Sequence, residues 1–149
     1  MIGLLQRVLR AEVEVGDQTV GHIGPGILVL VGIEHKDGQA EADRLIERVL
    51  NYRVFTDKQG RMNHSLVDTA GSLLLVPQFT LAADTHKGNR PSFSTVATPA
   101  QGKHWFEYLV RRARELHSEV QTGRFGADMR VSLVNDGPVT FWLRVAPAE

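Results

Sequence analysis

The sequence predicts an α+β fold, a single domain over residues 1–149 with a largely antiparallel, barrel-like sheet and two main helices. Three observations predict it. Short runs of apolar and β-branched residues open the chain and recur to its end, as strands do. Two segments instead repeat apolar residues at helical spacing. And 149 residues suffice for one core but not comfortably for two.

Ile2 to Leu9 reads as a strand. It runs on into Ala11–Val15, where Val13 and Val15 alternate with Glu12 and Glu14. Gly16-Asp17 makes a turn, Thr19–Ile23 a short strand, and Gly24-Pro25-Gly26 a stop. Ile27–Ile33 is apolar on both faces, which suits a central strand. Asp37 is placed to cap the first helix. There Ala42, Leu45, Ile46, Val49 and Leu50 form one stripe, and the charges between them read as its solvated face. Val54-Phe55 starts another strand before the turn Asp57–Gly60, and Leu73–Val76 is a buried strand running into Pro77-Gln78-Phe79-Thr80-Leu81. The polar loop 83–94 follows, long for so small a domain, which hints at function. Thr98-Pro99-Ala100-Gln101 is a capping box with Pro at the first helical position, and Trp105, Phe106, Leu109, Val110 and Ala113 make the stripe behind it. Met129–Val145 reads as two strands about Asn135-Asp136-Gly137-Pro138. Asp-Gly signals a hairpin, which Pro138 complicates by removing an N–H where the returning strand would start.

Lys plus Arg and Asp plus Glu each number 17, so any nucleic-acid contact needs a local basic patch. There is no Cys, which removes disulfides, thiolate nucleophiles and Cys-based zinc sites, and fits a cytoplasmic location. The opening MIGLLQRVLR is too short an apolar run for a signal peptide, and no stretch approaches the ~20 apolar residues of a membrane helix. Six histidines show no paired ligand spacing, so neither metal nor cofactor is expected. No nucleophile–base–orienter set stands out either. Arg111, Arg112 and Arg114 suit the C-terminal dipole of their helix, or an RNA phosphate.

Two motifs go further: Gln78-Phe79-Thr80-Leu81 and Asn135-Asp136-Gly137-Pro138-Val139-Thr140. With Leu5-Gln6-Arg7-Val8, Ile23-Gly24-Pro25-Gly26, Arg53-Val54-Phe55, the stretch Lys87 to Phe93 and the stretch Gly123 to Met129, they make the chain resemble the D-aminoacyl-tRNA deacylases essentially end to end. The resemblance implies a homodimer that hydrolyses the ester between a D-amino acid and the terminal ribose of tRNA, and that also clears glycine mischarged on tRNA-Ala. It implies tRNA and a second copy as partners, with neither DNA nor membrane. It further implies a cis Gly137–Pro138 bond, anchored by Arg7 and inserted into the partner's site. There the carbonyls of Gly137 and Pro138 would hold the α-ammonium and exclude L side chains. Backbone N–H groups of Phe79 and Thr80, with Gln78 beside them, would stabilise the oxyanion. The Thr80 hydroxyl would be structural, and the ribose hydroxyl would help direct water. Lys87, Arg90, Arg111, Arg112 and Arg124 are the candidate tRNA contacts. One residue departs from the pattern: the family usually has Ser where this chain has Pro77. A deacylase of relaxed chirality, acting on L-Ala-tRNA, shares that Pro but lacks the Phe and the Arg, which keeps it an alternative. A non-catalytic module binding the tRNA end is another.

Overall fold

The computed structural model describes residues 1–148. Strand β1 (Ile2–Val15) is the spine. On one edge its first half pairs antiparallel with β3 (Gly26–Gly32) and its second half with β2 (Gln18–Ile23). On the other edge β8 (Arg130–Arg144) runs antiparallel along its whole length. Beyond β3 the sheet becomes parallel, through β6 (Ser72–Pro77) and β7 (Val120–Thr122). The sheet is therefore mixed, three ladders antiparallel and two parallel, in the order β2-β1-β3-β6-β7. It curls until β2 meets β7. Gly21 is what permits that approach, since a Cβ there would lie 2.5 Å from the Thr122 carbonyl oxygen. The result is a nearly closed barrel.

Strand alternation sorts two cores. Leu28 of β3 and Leu74 and Val76 of β6 point inward with Val8, Ala11, Val13 and Ile23. Ile27, Val29 and Val31, with Leu73 and Leu75, point outward under the helices. Both faces are covered, which is why β3 and β6 read as unbroken apolar runs. Helices α1 (Gln39–Asn51) and α3 (Pro99–Leu116) supply the cover, with the predicted stripe of α1 buried throughout. The capping box at Thr98 forms as read: its hydroxyl accepts from Gln101 N–H at 3.2 Å. None of the helices among the described residues is long and apolar enough to cross a membrane.

Three local readings need correction or addition. Asp37 does not cap α1; Gly38 takes that position, and its N–H donates to Glu41 at 2.8 Å. Asp37 instead sits buried against the N-terminal ammonium at 2.7 Å, a partner 36 residues away that no local pattern announces. A one-turn helix, α2 (Leu66–Thr69), was not expected; Ser65 caps it, accepting from Asp68 N–H at 3.1 Å. A two-stranded ribbon, β4 (Phe55–Thr56) with β5 (Met62–His64), closes over the predicted turn at Asp57–Gly60.

One further correction is larger. Residues 129–145 do not form a hairpin. Gln6 pairs with Thr140 and Val8 with Asn135, so β8 continues in one direction past Asn-Asp-Gly-Pro. The four residues 136–139 are looped out opposite Arg7 as a bulge. A turn reverses the chain only when its two flanks pair with each other. Here β1, 14 residues long, offers both flanks a better partner.

Candidate active site

Parallel neighbours β3 and β6 end side by side, Val31 level with Pro77. The chain leaving β6 turns at once. Gln78 N–H still donates to Val31 O at 2.8 Å, and the Gln78 carbonyl accepts from Leu81 N–H at 3.3 Å, starting a 3₁₀ turn over Phe79–Ala82. The leading N–H groups of such a turn, those of Phe79 and Thr80, have no acceptor within it. Gln78 Nε2 donates to Thr80 Oγ1, so that hydroxyl is engaged by its own turn. The Phe79 ring is 60 % exposed and tilts against Phe93, with centroids 5.6 Å apart.

This turn is one wall of a cleft of about 770 Å³. The floor is the strand end at Val31, Ile33 and Pro77; the far wall is the start of α3 and the stretch Phe125–Met129. The loop after the 3₁₀ turn is ordered by local bonds. Asp84 and Ser92 exchange both backbone hydrogen bonds, at 2.8 and 2.9 Å. The Asp84 carboxylate accepts from His86 N–H at 2.9 Å, and that bond, with the His86 ring, holds it below the usual carboxylate range. Farther on, Thr95 Oγ1 donates to Ala82 O at 2.7 Å, and Val96 pairs with Glu34 at the cleft floor. Among the lining residues described, Asp128 is the one with an ionisable side chain. The cleft thus offers aromatic surface, an amide and free N–H groups. Among the described residues, no hydrogen bond joins a hydroxyl of the lining to Asp128.

The bulge of β8 is built differently. Asn135 spans its neck: Val139 N–H donates to Asn135 Oδ1 at 2.8 Å, while Asn135 Nδ2 donates to Val139 O at 3.2 Å. One carboxamide thereby replaces the strand partner that Val139 lost. Arg7, whose side chain is only 11 % exposed, clamps the other side. Its Nε donates to Asp136 O at 3.1 Å and faces the Asp136 carboxylate at 3.4 Å, and Nη1 donates to Val54 O at 2.7 Å. Held there, Gly137 and Pro138 are exposed, with a cis bond between them and Gly137 at φ 131°. Neither lines the cleft of its own chain. Val131, the β8 residue that does, pairs with Val13, six residues along β1 from Arg7, or about 20 Å of strand.

The structure thus brings Pro77, Gln78 and Phe79 together at the cleft, with Thr80 on the same turn, and sets Arg7, Gly137 and Pro138 at a second place. The cations divide likewise. Lys87 and Arg90 sit exposed in the loop that bears Phe93. Arg111 and Arg124 line a separate groove. Arg112 turns toward acids, 2.8 Å from Glu115 and 3.8 Å from Asp43. Sequence reasoning singled out neither Asn135 nor Phe125 as a site residue. Both lie inside motifs it quoted, but only the fold shows which groups they meet.

Comparison with known proteins places the chain in a family. Residues 4–144 match the family described as D-Tyr-tRNA(Tyr) deacylase. A D-aminoacyl-tRNA deacylase of Paracidovorax citrulli is 60% identical over 147 residues, spanning 99% of this chain and 95% of that one. Two solved structures are similar over nearly their full lengths. A c-Myc DNA unwinding element binding protein has a TM-score of 0.94 at 37% identity, covering 98% of this chain and 99% of that chain. A probable eukaryotic D-amino acid tRNA deacylase has a TM-score of 0.83 at 18% identity, covering 97% and 98%, a likeness of fold alone. With nearly all of its length matched and both motifs in place, the chain belongs to the D-Tyr-tRNA(Tyr) deacylase family.

Proposed function

We propose that the chain hydrolyses the ester linking a D-amino acid to the terminal ribose of tRNA, and removes glycine mischarged on tRNA-Ala by the same route. Its membership of the deacylase family is the observation that carries this reading. The cleft supports it: an activated ester needs polarisation more than a strong nucleophile. The N–H groups of Phe79 and Thr80 would stabilise the tetrahedral oxyanion, each such donor being worth about 3–4 kcal/mol. The attacking oxygen would be water, directed in part by the neighbouring ribose hydroxyl, and Thr80 Oγ1 accepts from Gln78 within its own turn.

We infer that chirality is enforced by Gly137 and Pro138 of a second copy. In one chain both residues are exposed and neither lines the cleft, so a homodimer that exchanges bulges would complete both sites. A main-chain wall can accept from an α-ammonium while clashing with an L side chain, and rejection by clash suits a site that must pass D side chains of many sizes.

Pro77 favours weighing one second reading, the relaxed-chirality deacylase, because this residue lies on the cleft floor where the family usually has Ser. Hydrolysis of D-Tyr-tRNA, L-Tyr-tRNA, L-Ala-tRNA and Gly-tRNA-Ala, measured side by side, tests both. D-Tyr and Gly cleaved with both L esters spared is the expected result. Turnover of L-Ala-tRNA would transfer the chain to the relaxed class, and binding without any hydrolysis would reduce it to a tRNA-end-binding module.

A further inference from the structure

We propose that the groove between the C-terminal half of α3 and the stretch after β7 carries the sugar–phosphate strand of the tRNA acceptor end as it leaves the cleft. This rests on the deacylase reading above and names the part of the substrate that the cleft cannot hold. The groove has a volume of about 770 Å³, as large as the cleft, and both are lined by Phe125. That ring packs on Phe106 of α3, centroids 6.3 Å apart, and so forms a shared wall on rigid elements. A strand whose last nucleotide sits in the cleft can cross this wall directly into the groove.

The cations of the groove fit that occupant. Arg111 and Arg114 are one turn apart on α3, hence neighbours on its surface, and Arg124 faces them from the other bank. All three are exposed, and among the described residues no carboxylate lies within ion-pair distance of any of them. Two acids also line the groove, Glu107 and Glu115. Glu115 is neutralised by Arg112 at 2.8 Å, which leaves three guanidiniums against one unpaired carboxylate. Guanidinium forks match phosphate oxygens two at a time, and Arg is the side chain best shaped for such a track. The same geometry removes Arg112 from the set. Lys87 and Arg90 are exposed on the loop that brings Phe93 to the cleft, and offer the alternative path.

The test is binding of uncharged tRNA by the full chain across a salt series. Each phosphate contact contributes about 0.7–0.9 to the slope of log affinity against log salt. The triple variant Arg111→Ala/Arg114→Ala/Arg124→Ala is expected to lose slope in that proportion, while the triple Arg→Lys variant and Arg112→Ala keep the wild-type slope. An unchanged slope in the alanine triple, or a loss found instead in Lys87→Ala/Arg90→Ala, overturns the groove. So does a loss in the lysine triple equal to that in the alanine triple, since charge would then not be the cause. Hydrolysis of D-Tyr-tRNA by the same wild-type preparation reads the catalytic assignment separately. Hydrolysis with no slope change in the alanine triple sinks the groove alone. Slope loss without hydrolysis keeps the groove and sinks the deacylase reading.

Discussion

The bulge at Gly137 and the turn at Phe79 are both exposed, yet they commit their polar groups in opposite ways. At the bulge, side chains hold backbone. Asn135 satisfies Val139 and Arg7 grips Asp136 and Val54, so two exposed residues are fixed by a nearly buried scaffold. At the turn, backbone is left over. The N–H groups of Phe79 and Thr80 lead a 3₁₀ turn with no partner inside it, and the Phe79 ring, 60 % exposed, tilts against Phe93. One region is complete in itself and presents a rigid surface. The other leaves leading donors without partners inside its turn, as a ligand-binding site requires. Donor and acceptor surfaces of a two-copy site would differ in this way.

That contrast can be broken at the bulge first. Gly137→Ala puts a Cβ 2.7 Å from Val139 Cγ2 and 3.1 Å from an Arg7 guanidinium nitrogen, at a φ of +131°. The turn must shift, and a displacement on the ångström scale costs about 100-fold in turnover. We expect D-Tyr-tRNA hydrolysis to fall by that factor; retained activity with intact chirality would show that the bulge is not the wall. Arg7→Lys keeps the charge but cannot reach Asp136 and Val54 as a planar fork does. Loss of about 1.5–3 kcal/mol is expected in urea unfolding, the range for hydrogen bonds to a charged group. Asn135→Ala leaves the buried Val139 N–H without its acceptor, and about 1–3 kcal/mol should be lost by the same measurement.

The turn sharpens the comparison by responding weakly. Thr80→Val removes a hydroxyl that accepts from Gln78, and Pro77→Ser adds one on the cleft floor. Each should change turnover by less than about tenfold, the mark of residues that do not share the transition state. A hundredfold loss at Thr80 would make it a nucleophile, and at Pro77 would mean that the residue in this position has been misread. The smallest effect is in pH. Asp84 is held below its ordinary value by the His86 N–H and ring. Its hold on the loop is therefore complete above the normal carboxylate range and is lost as pH falls through the lowered value. Limited proteolysis of residues 84–92 should accelerate only at acid pH, and Asp84→Asn should remove that dependence; cleavage equal at all pH would detach the loop from Asp84.

The two regions were unequally legible. Helix α3 could be read to its first residue, because Thr98, Pro99 and Gln101 act within one turn of chain. The chemistry of the cleft could not. Phe125 reaches it from 46 residues beyond Phe79, and Asp128 is the one ionisable side chain among its described lining residues. The bulge was legible as a motif and misread as a shape. Asp-Gly between two strand-like runs signals a hairpin despite the Pro that follows, and local signs do not say what the flanks will pair with.

By itself, then, the sequence determined the two long helices, the cap of α3, the two-faced apolar strands and the family to which the chain belongs. Each depends on residues near one another in the chain, or on motifs that survive being read one at a time. Only the tertiary structure decided that β8 runs straight through its Gly-Pro, that Asp37 meets the N-terminal ammonium rather than a helix, and that Arg111 and Arg124 share a groove while Arg112 does not. Those outcomes depend on which distant partner is in reach, and reach is settled by the curl of the sheet.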